Sequence, residues 1–445
     1  MGAANNKKRL EEHHMNFVLA FIAFNFIIIV HELGHFIAAK KFGIRVLEFS
    51  LFIGPKLISF KQGETTYSLR LFPIMAFVKL EGEEEASDSE RAFRNKPGYA
   101  RAIVAAAAPA ANLLTAVVIL TAVFSVMGFS TTRVESVQPG KAAYEAGIRK
   151  GDRLISYAGK RTYLPMDVVQ FMYIADGNPA VVEVLRDGGK FTATVVPELI
   201  PKKKVYRLGI AVPEATGKDS NLVKAVYPGS AADMAGIKAN DRIVGLDGRE
   251  ISSKSEIDEF MKENGEMPIK VTVLRDGGTV VLELAPMVET IPEQYELGIS
   301  FSYEKGNMAE AFRQSLVYTY SVVRSVGYSL LWLITGKASL KQMMGPVGIV
   351  STIGAVVQQG PTLPARILYL LQMTALFSIA VGATQFIPFP MLDGNKLLLI
   401  AVEAIRKKPI PPEKEAFISM IGFMALILLA IYAFYNDILR IISGG

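Results

Sequence analysis

The sequence predicts a polytopic α-helical membrane protein, with four transmembrane helices and a duplicated mixed β/α unit between the second and the third. Three observations predict this. Long apolar runs flank a polar middle in a chain of 445 residues, 51% hydrophobic and 20% charged, with mean hydropathy +0.30. Basic residues collect beside the apolar runs. A stretch of the polar middle recurs at a fixed offset. This patterning excludes intrinsic disorder, collagen-like and coiled-coil classes. The net charge of +6 follows membrane topology, so no nucleic acid partner is expected. The chain has no cysteine, which excludes disulfides, zinc fingers and a thiol nucleophile.

Residues 1–14 form a polar leader, a misassigned start or a cloning scar and are assigned no role. Crossing a hydrocarbon core takes about 20 apolar residues. A first membrane region, 15–129, holds a first span at 17–39, a loop of β character at about 45–82 and a second span at 102–129. A second membrane region, 366–445, holds spans at 367–390 and 417–435. The first run is too long for a signal peptide and lacks a small-x-small exit. Lys40, Lys41 and Arg45 follow the first span. Arg91, Arg94, Lys96 and Arg101 precede the second, and Arg406, Lys407, Lys408 and Lys414 lie between the last two. The positive-inside rule makes these loops cytosolic and puts residues 130–366 on the extracytoplasmic side.

Within that middle, VQPGKAAYEAGIRKGDRLI (137–155) recurs as VYPGSAADMAGIKANDRIV (226–244). LRDGG and LGI recur at the same offset of 89 residues (274 against 185, 297 against 208). Short β-branched runs, Gly-containing turns and a short helix around AGI make each unit a small mixed β/α module. These units resemble PDZ domains in the circularly permuted order of bacterial proteases, over 133–213 and 221–301. The resemblance implies two tandem circularly permuted PDZ domains, which either capture peptide C-termini by strand addition or only exclude bulky proteins. It implies that Leu208, Gly209 and Ile210, and Leu297, Gly298 and Ile299, line the grooves. The stretch 310–360 reads as an amphipathic surface helix and a connector, because apolar residues recur at helical spacing while Arg324 sits mid-run.

His31, Glu32 and His35 form HELGH inside the first span. Positions i and i+4 share a helix face, so both imidazoles reach one metal, and the Glu between them can take a proton from water. Ionisable residues in an apolar run are costly and default to function. The third ligand falls to a carboxylate: no cysteine exists, and the other histidines, His13 and His14, lie in the leader. The second span has no acid, and the fourth has only Asp437 past its far end. The third ends at Asp393, in FPMLDGN. Fourteen helical steps from Phe17 to His31, about 21 Å, put the metal near the cytosolic end of the first span. Asp393 ends a span running inward, so depth and side agree.

HELGH in a first span, AAPAAN (107–112) in a second, the PDZ-like units and QFIPFPMLDGN (385–395) together resemble the site-2 protease family, and within it the bacterial two-PDZ RseP type. The resemblance implies an intramembrane zinc metalloprotease with one Zn2+ ion on His31, His35 and Asp393 and with Glu32 as general base. It implies single-pass transmembrane substrates in the lipid bilayer, such as anti-sigma factors or signal-peptide remnants, cut after a prior extracytoplasmic cleavage. It also implies a bacterial cytoplasmic membrane, with the active site towards the cytosol. Gln385, Asn112, Met75, Ala76 and Phe77 fall where substrate contacts are implied. Four positions depart from the family pattern. Gln385 stands for Asn, Ala108 for Gly, Met75-Ala76 for Gly-Gly and Asn395 for the second Gly after Asp393. These departures favour one rival, a catalytically inactive scaffold that binds peptides through its PDZ units. A metal transporter is a weaker rival, because the spans lack a charged pathway outside the site.

Overall fold

The fold is taken from a computed structural model. The structure describes residues 2–83, 85, 87–213, 220–227, 230–291, 293–337, 340, 344–358, 360, 362–408 and 410–442. Helix α1 (Gly2–Lys41) runs through the leader into the first apolar stretch. Among the described residues, four helices are long and apolar enough to span a bilayer: Val18–Lys41 of α1, α2 (Gly98–Met127), α9 (Leu363–Gln385) and Glu413–Leu439 of α11 (Pro412–Ile442). The third span was expected to reach residue 390. It ends at Gln385 because Pro388 and Pro390 carry no N–H to continue a helix. The chain restarts as α10 (Asp393–Arg406), whose first residue is the predicted ligand.

Between α1 and α2 lies an antiparallel hairpin, β1 (Val46–Gln62) and β2 (Thr65–Leu80). Repeated register shifts fold it over itself. Leu51 pairs with Ala76 near the root and also with Leu69, while Gln62 pairs with Thr65 at the tip. Val46 and Leu80 at the root pack with Ala38, Ala39 and Val104, which fixes the hairpin to the ends of α1 and α2.

The duplicated region holds two similar β units, and the structure corrects their boundaries. Unit one comprises β3 (Phe129–Val137), α3 (Ala142–Glu145), β4 (Arg153–Tyr157), β5 (Lys160–Arg161), α4 (Pro165–Ile174), β6 (Ala180–Arg186) and β7 (Gly189–Val195). The chain leaves through β8 (Glu198–Ile200) and β9 (Lys203–Arg207) and reaches β10 (Ile210–Ala211). Unit two continues through β11 (Ala225–Val226), α5 (Ala231–Ala235), β12 (Arg242–Leu246), β13 (Arg249–Glu250), α6 (Lys254–Asn264), β14 (Ile269–Arg275) and β15 (Gly278–Leu284). It returns through β16 (Met287–Ile291) and β17 (Gln294–Glu296), which pair with β9 and β8 as a two-stranded stalk. Finally β18 (Ile299–Glu304) pairs with β3 at the edge of the first sheet, ordered β18-β3-β4-β6-β7.

The units are therefore nested and do not follow one another as 133–213 and 221–301. Leu297 lies in the core of unit one with Val134, Leu154 and Phe171. Leu208 lies in the core of unit two with Val223, Ile243 and Phe260. Each unit is completed by the LGI stretch that the repeat offset had assigned to the other. Strand pairing decides this: Ile299 pairs with Val137, and Ile210 pairs with Val226.

The 310–360 region contains two helices where one was expected. α7 (Met308–Ile334) is capped by Asn307, whose side chain accepts the Glu310 N–H. Its first half packs on α2 and α9 through Ala311 and Val322, with Ser315 bonded to Thr121 at 3.0 Å. Its second half docks on unit one, where Arg324 pairs with the buried Asp167 at 2.8 Å. The second helix, α8 (Pro346–Gln358), packs its Ile353 and Val357 against Ala20 of α1 and the apolar residues of α9. Much of the link between α7 and α8 lies outside the described residues.

Candidate metal centre

One turn of α1 presents His31 and His35 on one face, and Asp393 begins α10 directly opposite. Oδ2 of Asp393 lies 3.1 Å from Nε2 of His31 and 3.2 Å from Nε2 of His35. All three donor atoms fall within 4.8 Å of one another, in a setting that buries His31 and Asp393. Two glycines permit this approach. A Cβ on Gly34 would sit 2.6 Å from the Ala107 carbonyl oxygen, so the Gly of HELGH lets α1 close on α2. A Cβ on Gly394 would sit 2.3 Å from the Ile387 carbonyl oxygen, so this Gly lets α10 begin tight against the broken segment.

The donor set fits a metal cation. Nδ1 of His35 is 3.0 Å from the Val104 carbonyl oxygen and must donate to it. In the neutral ring a lone pair is then left at Nε2, facing a carboxylate oxygen that is buried without a hydrogen-bond partner. Two acceptors face each other across 3.2 Å, and a cation between them resolves the repulsion. Imidazole nitrogens with one carboxylate suit zinc, and three protein donors leave a position open for water and substrate.

Glu32 lies between the histidines in sequence and faces the same cavity of about 530 Å³. Its Oε2 accepts the Val78 backbone N–H at 3.0 Å. Phe77 and Gln385 line this cavity. Gln385 has a second role that sequence reasoning missed: its Oε1 accepts the Asp393 backbone N–H at 3.3 Å and so caps the start of α10. The helix break between them brings together residues eight apart, and no local pattern signals that contact.

Three other expected contacts fall elsewhere. Asn112 is fully buried, with its Nδ2 3.4 Å from Nδ1 of His31, because α9 packs closely on α2 at that level. It stands against His31 and does not line the cavity. Ala76 is buried in the hairpin, while Met75 is exposed at φ 68°. That left-handed conformation favours Gly, which explains why the family pattern has Gly at this position. Leu208 and Leu297 are core residues, while Gly209 and Gly298 hold positive φ at the entry to β10 and β18.

Residues 19–429 match the family described as Peptidase family M50. The chain belongs to peptidase family M50. It is 28% identical over 434 residues to the zinc metalloprotease RasP of Geobacillus kaustophilus, covering 95% of this chain and 97% of that protein. It is 31% identical over 445 residues to the regulator of sigma-W protease RasP of Bacillus subtilis, covering 96% of this chain and 99% of that one. This M50 chain is thus an integral membrane zinc metallopeptidase of the site-2 protease type, with zinc as its cofactor.

Proposed function

We propose that the chain hydrolyses peptide bonds within single transmembrane segments of other membrane proteins, on the cytosolic side of a bacterial cytoplasmic membrane and after a prior extracytoplasmic cut. The observation that carries this reading is the His31, His35 and Asp393 cluster with Glu32 in one cavity, among four helices long enough to span a bilayer. Lewis acidity at the three-donor centre is the chemistry that zinc supplies when bound. Glu32 takes a proton from the attacking water and returns it to the leaving amine. The Val78 N–H donates to Oε2 of Glu32 at 3.0 Å and so fixes that carboxylate at the cavity wall. A helical substrate hides its carbonyls in its own hydrogen bonds and must unwind to react. Phe77, Val78 and Leu80 of β2 line the cavity, and an extended segment lies alongside this outer strand, pairing at positions other than the Val78 N–H that Glu32 holds.

In this reading the nested units are PDZ domains outside the membrane. The open edge of β18 and helix α4 form the groove of unit one, and β10 and helix α6 form that of unit two. They admit trimmed substrates, either by binding new C-termini or by size. Membrane-bound anti-sigma factors and signal-peptide remnants are the substrate classes that the family resemblance implies. The sidedness follows from the basic residues flanking the spans.

The test is cleavage of a transmembrane reporter by the purified protein and by Glu32→Gln, with zinc content measured in both. Glu32→Gln is expected to keep zinc and lose cleavage. A variant that still cut at the normal rate would overturn the assignment of Glu32. A wild-type chain that held zinc and cut no membrane reporter would favour the scaffold reading.

A further inference from the structure

A second cavity, of about 430 Å³, adjoins the metal cavity, and Lys396 and Glu83 line both. Lys396 is one helical turn from Asp393 on α10. Its Nζ lies 2.6 Å from Oε1 of Glu83 and 3.6 Å from Oδ1 of Asp393. The two oxygens of Asp393 therefore have different surroundings. Oδ2 faces both imidazoles, and Oδ1 faces the ammonium.

We propose that Lys396 is a positioning residue for the ligand Asp393, and that Glu83 at the end of the hairpin holds Lys396 in that place. A carboxylate can bind a cation through one oxygen or through both, and it turns easily about its last torsion. The ammonium attracts Oδ1 and stops that rotation, which leaves Oδ2 as the single donor. One-oxygen binding keeps the remaining position of a four-coordinate zinc free for water and substrate. Partners of this kind around ligands commonly change metal affinity by about 10- to 100-fold when removed.

The same contact ties the hairpin to the metal. Glu83 follows the end of β2 at Leu80 by three residues, and its carbonyl oxygen accepts the Arg94 guanidinium at 3.3 Å. The segment 78–83 thus touches the base at one end, through the Val78 N–H, and the ligand at the other, through Glu83 and Lys396. Displacing the hairpin would shift Glu32 and Asp393 together. The proposal rests on the reading of His31, His35 and Asp393 as the zinc site.

The experiment uses the full chain in detergent, with Zn2+ affinity measured by chelator competition and Co2+ absorption read as a report of coordination number. Lys396→Met is expected to lower Zn2+ affinity about 10- to 100-fold and to weaken the visible Co2+ bands as a second carboxylate oxygen joins. Lys396→Arg, which keeps the cation, is expected to stay near wild type on both readouts. Glu83→Gln is expected to move both in the direction of Lys396→Met, which keeps the proposal testable if that variant misfolds. Arg101→Met breaks the neighbouring Arg101–Glu403 pair (2.7 Å) and is expected to change neither. Wild-type Zn2+ affinity and Co2+ bands in Lys396→Met would overturn the proposal. So would an equal loss in Arg101→Met, which would make the effect one of general charge. A wild-type chain that took up no Zn2+ would instead refute the site itself.

Discussion

The backbone N–H of Val78 donates to Oε2 of Glu32 across 3.0 Å. A residue of the hairpin thereby orients a carboxylate of the first membrane helix, 46 positions away in sequence. Val78 pairs with Phe49 on one side of the strand, and its N–H is spent on Glu32, so a proline here removes that bond and no ladder bond. A hydrogen bond to a charged group contributes about 1.5–3 kcal/mol. Val78→Pro is therefore expected to lower kcat by roughly 10- to 100-fold and to leave zinc content unchanged. Reporter cleavage and metal analysis on the same preparation check this. Loss of zinc together with activity would mean that the hairpin as a whole had moved.

Asn112 sets the orientation of His31. Its Oδ1 is buried and unpartnered while Nδ2 faces the ring, and a half-turn of the amide would offer Oδ1 to a protonated Nδ1. The Nε2 lone pair is then free for a metal. Asn112→Leu removes both options and is expected to weaken zinc binding by about 10-fold or more. Chelator competition measures it, and unchanged affinity would leave Asn112 a packing residue only.

Met75 holds a left-handed conformation at φ 68°. That conformation costs a non-glycine residue about 1–2 kcal/mol, and a β-branched residue tolerates it least. Met75→Gly is expected to make the hairpin more resistant to limited proteolysis, and Met75→Val less so. Equal digestion of both variants and wild type would show that the strain is absorbed elsewhere.

The nested units share one acid-sensitive device. Asp152 is buried, with Arg186 Nε at 2.8 Å, and Asp241 repeats this with Arg275 at 2.6 Å. Burial pushes each carboxyl up, but the arginine hydrogen bonds and the N–H groups of Arg149 and Lys238 outweigh it, so both lie below the ordinary value of 3.8. A depressed value in the folded state means stability that is present above the unfolded pKa. It is lost as pH falls through the folded one. Both units are expected to lose this contribution progressively as pH falls below about 4, and Asp241→Asn to flatten that dependence in unit two. Limited proteolysis of the stretch 220–284 across pH reads the difference. An Asp241→Asn profile that overlays wild type would exclude this pair as the cause.

The spans and the chemistry of the site were legible in the sequence, because both depend on local spacing. Twenty apolar residues announce a span, an i, i+4 pair of histidines announces a shared face, and the scarcity of other ligands pointed to Asp393. Only the tertiary structure decided which LGI completes which unit. The partner of β3 lies more than 160 residues along the chain, and two similar repeats offer equivalent edges, so pairing and core packing make the choice. It also decided that Asn112 supports a histidine, that Gln385 caps the helix of Asp393, and that Glu83 and Lys396 join the hairpin to the ligand. Those relationships cross a helix break, a hairpin root or a helix–helix contact. Periodicity ends at such points, and hydrogen-bond geometry between distant segments takes over.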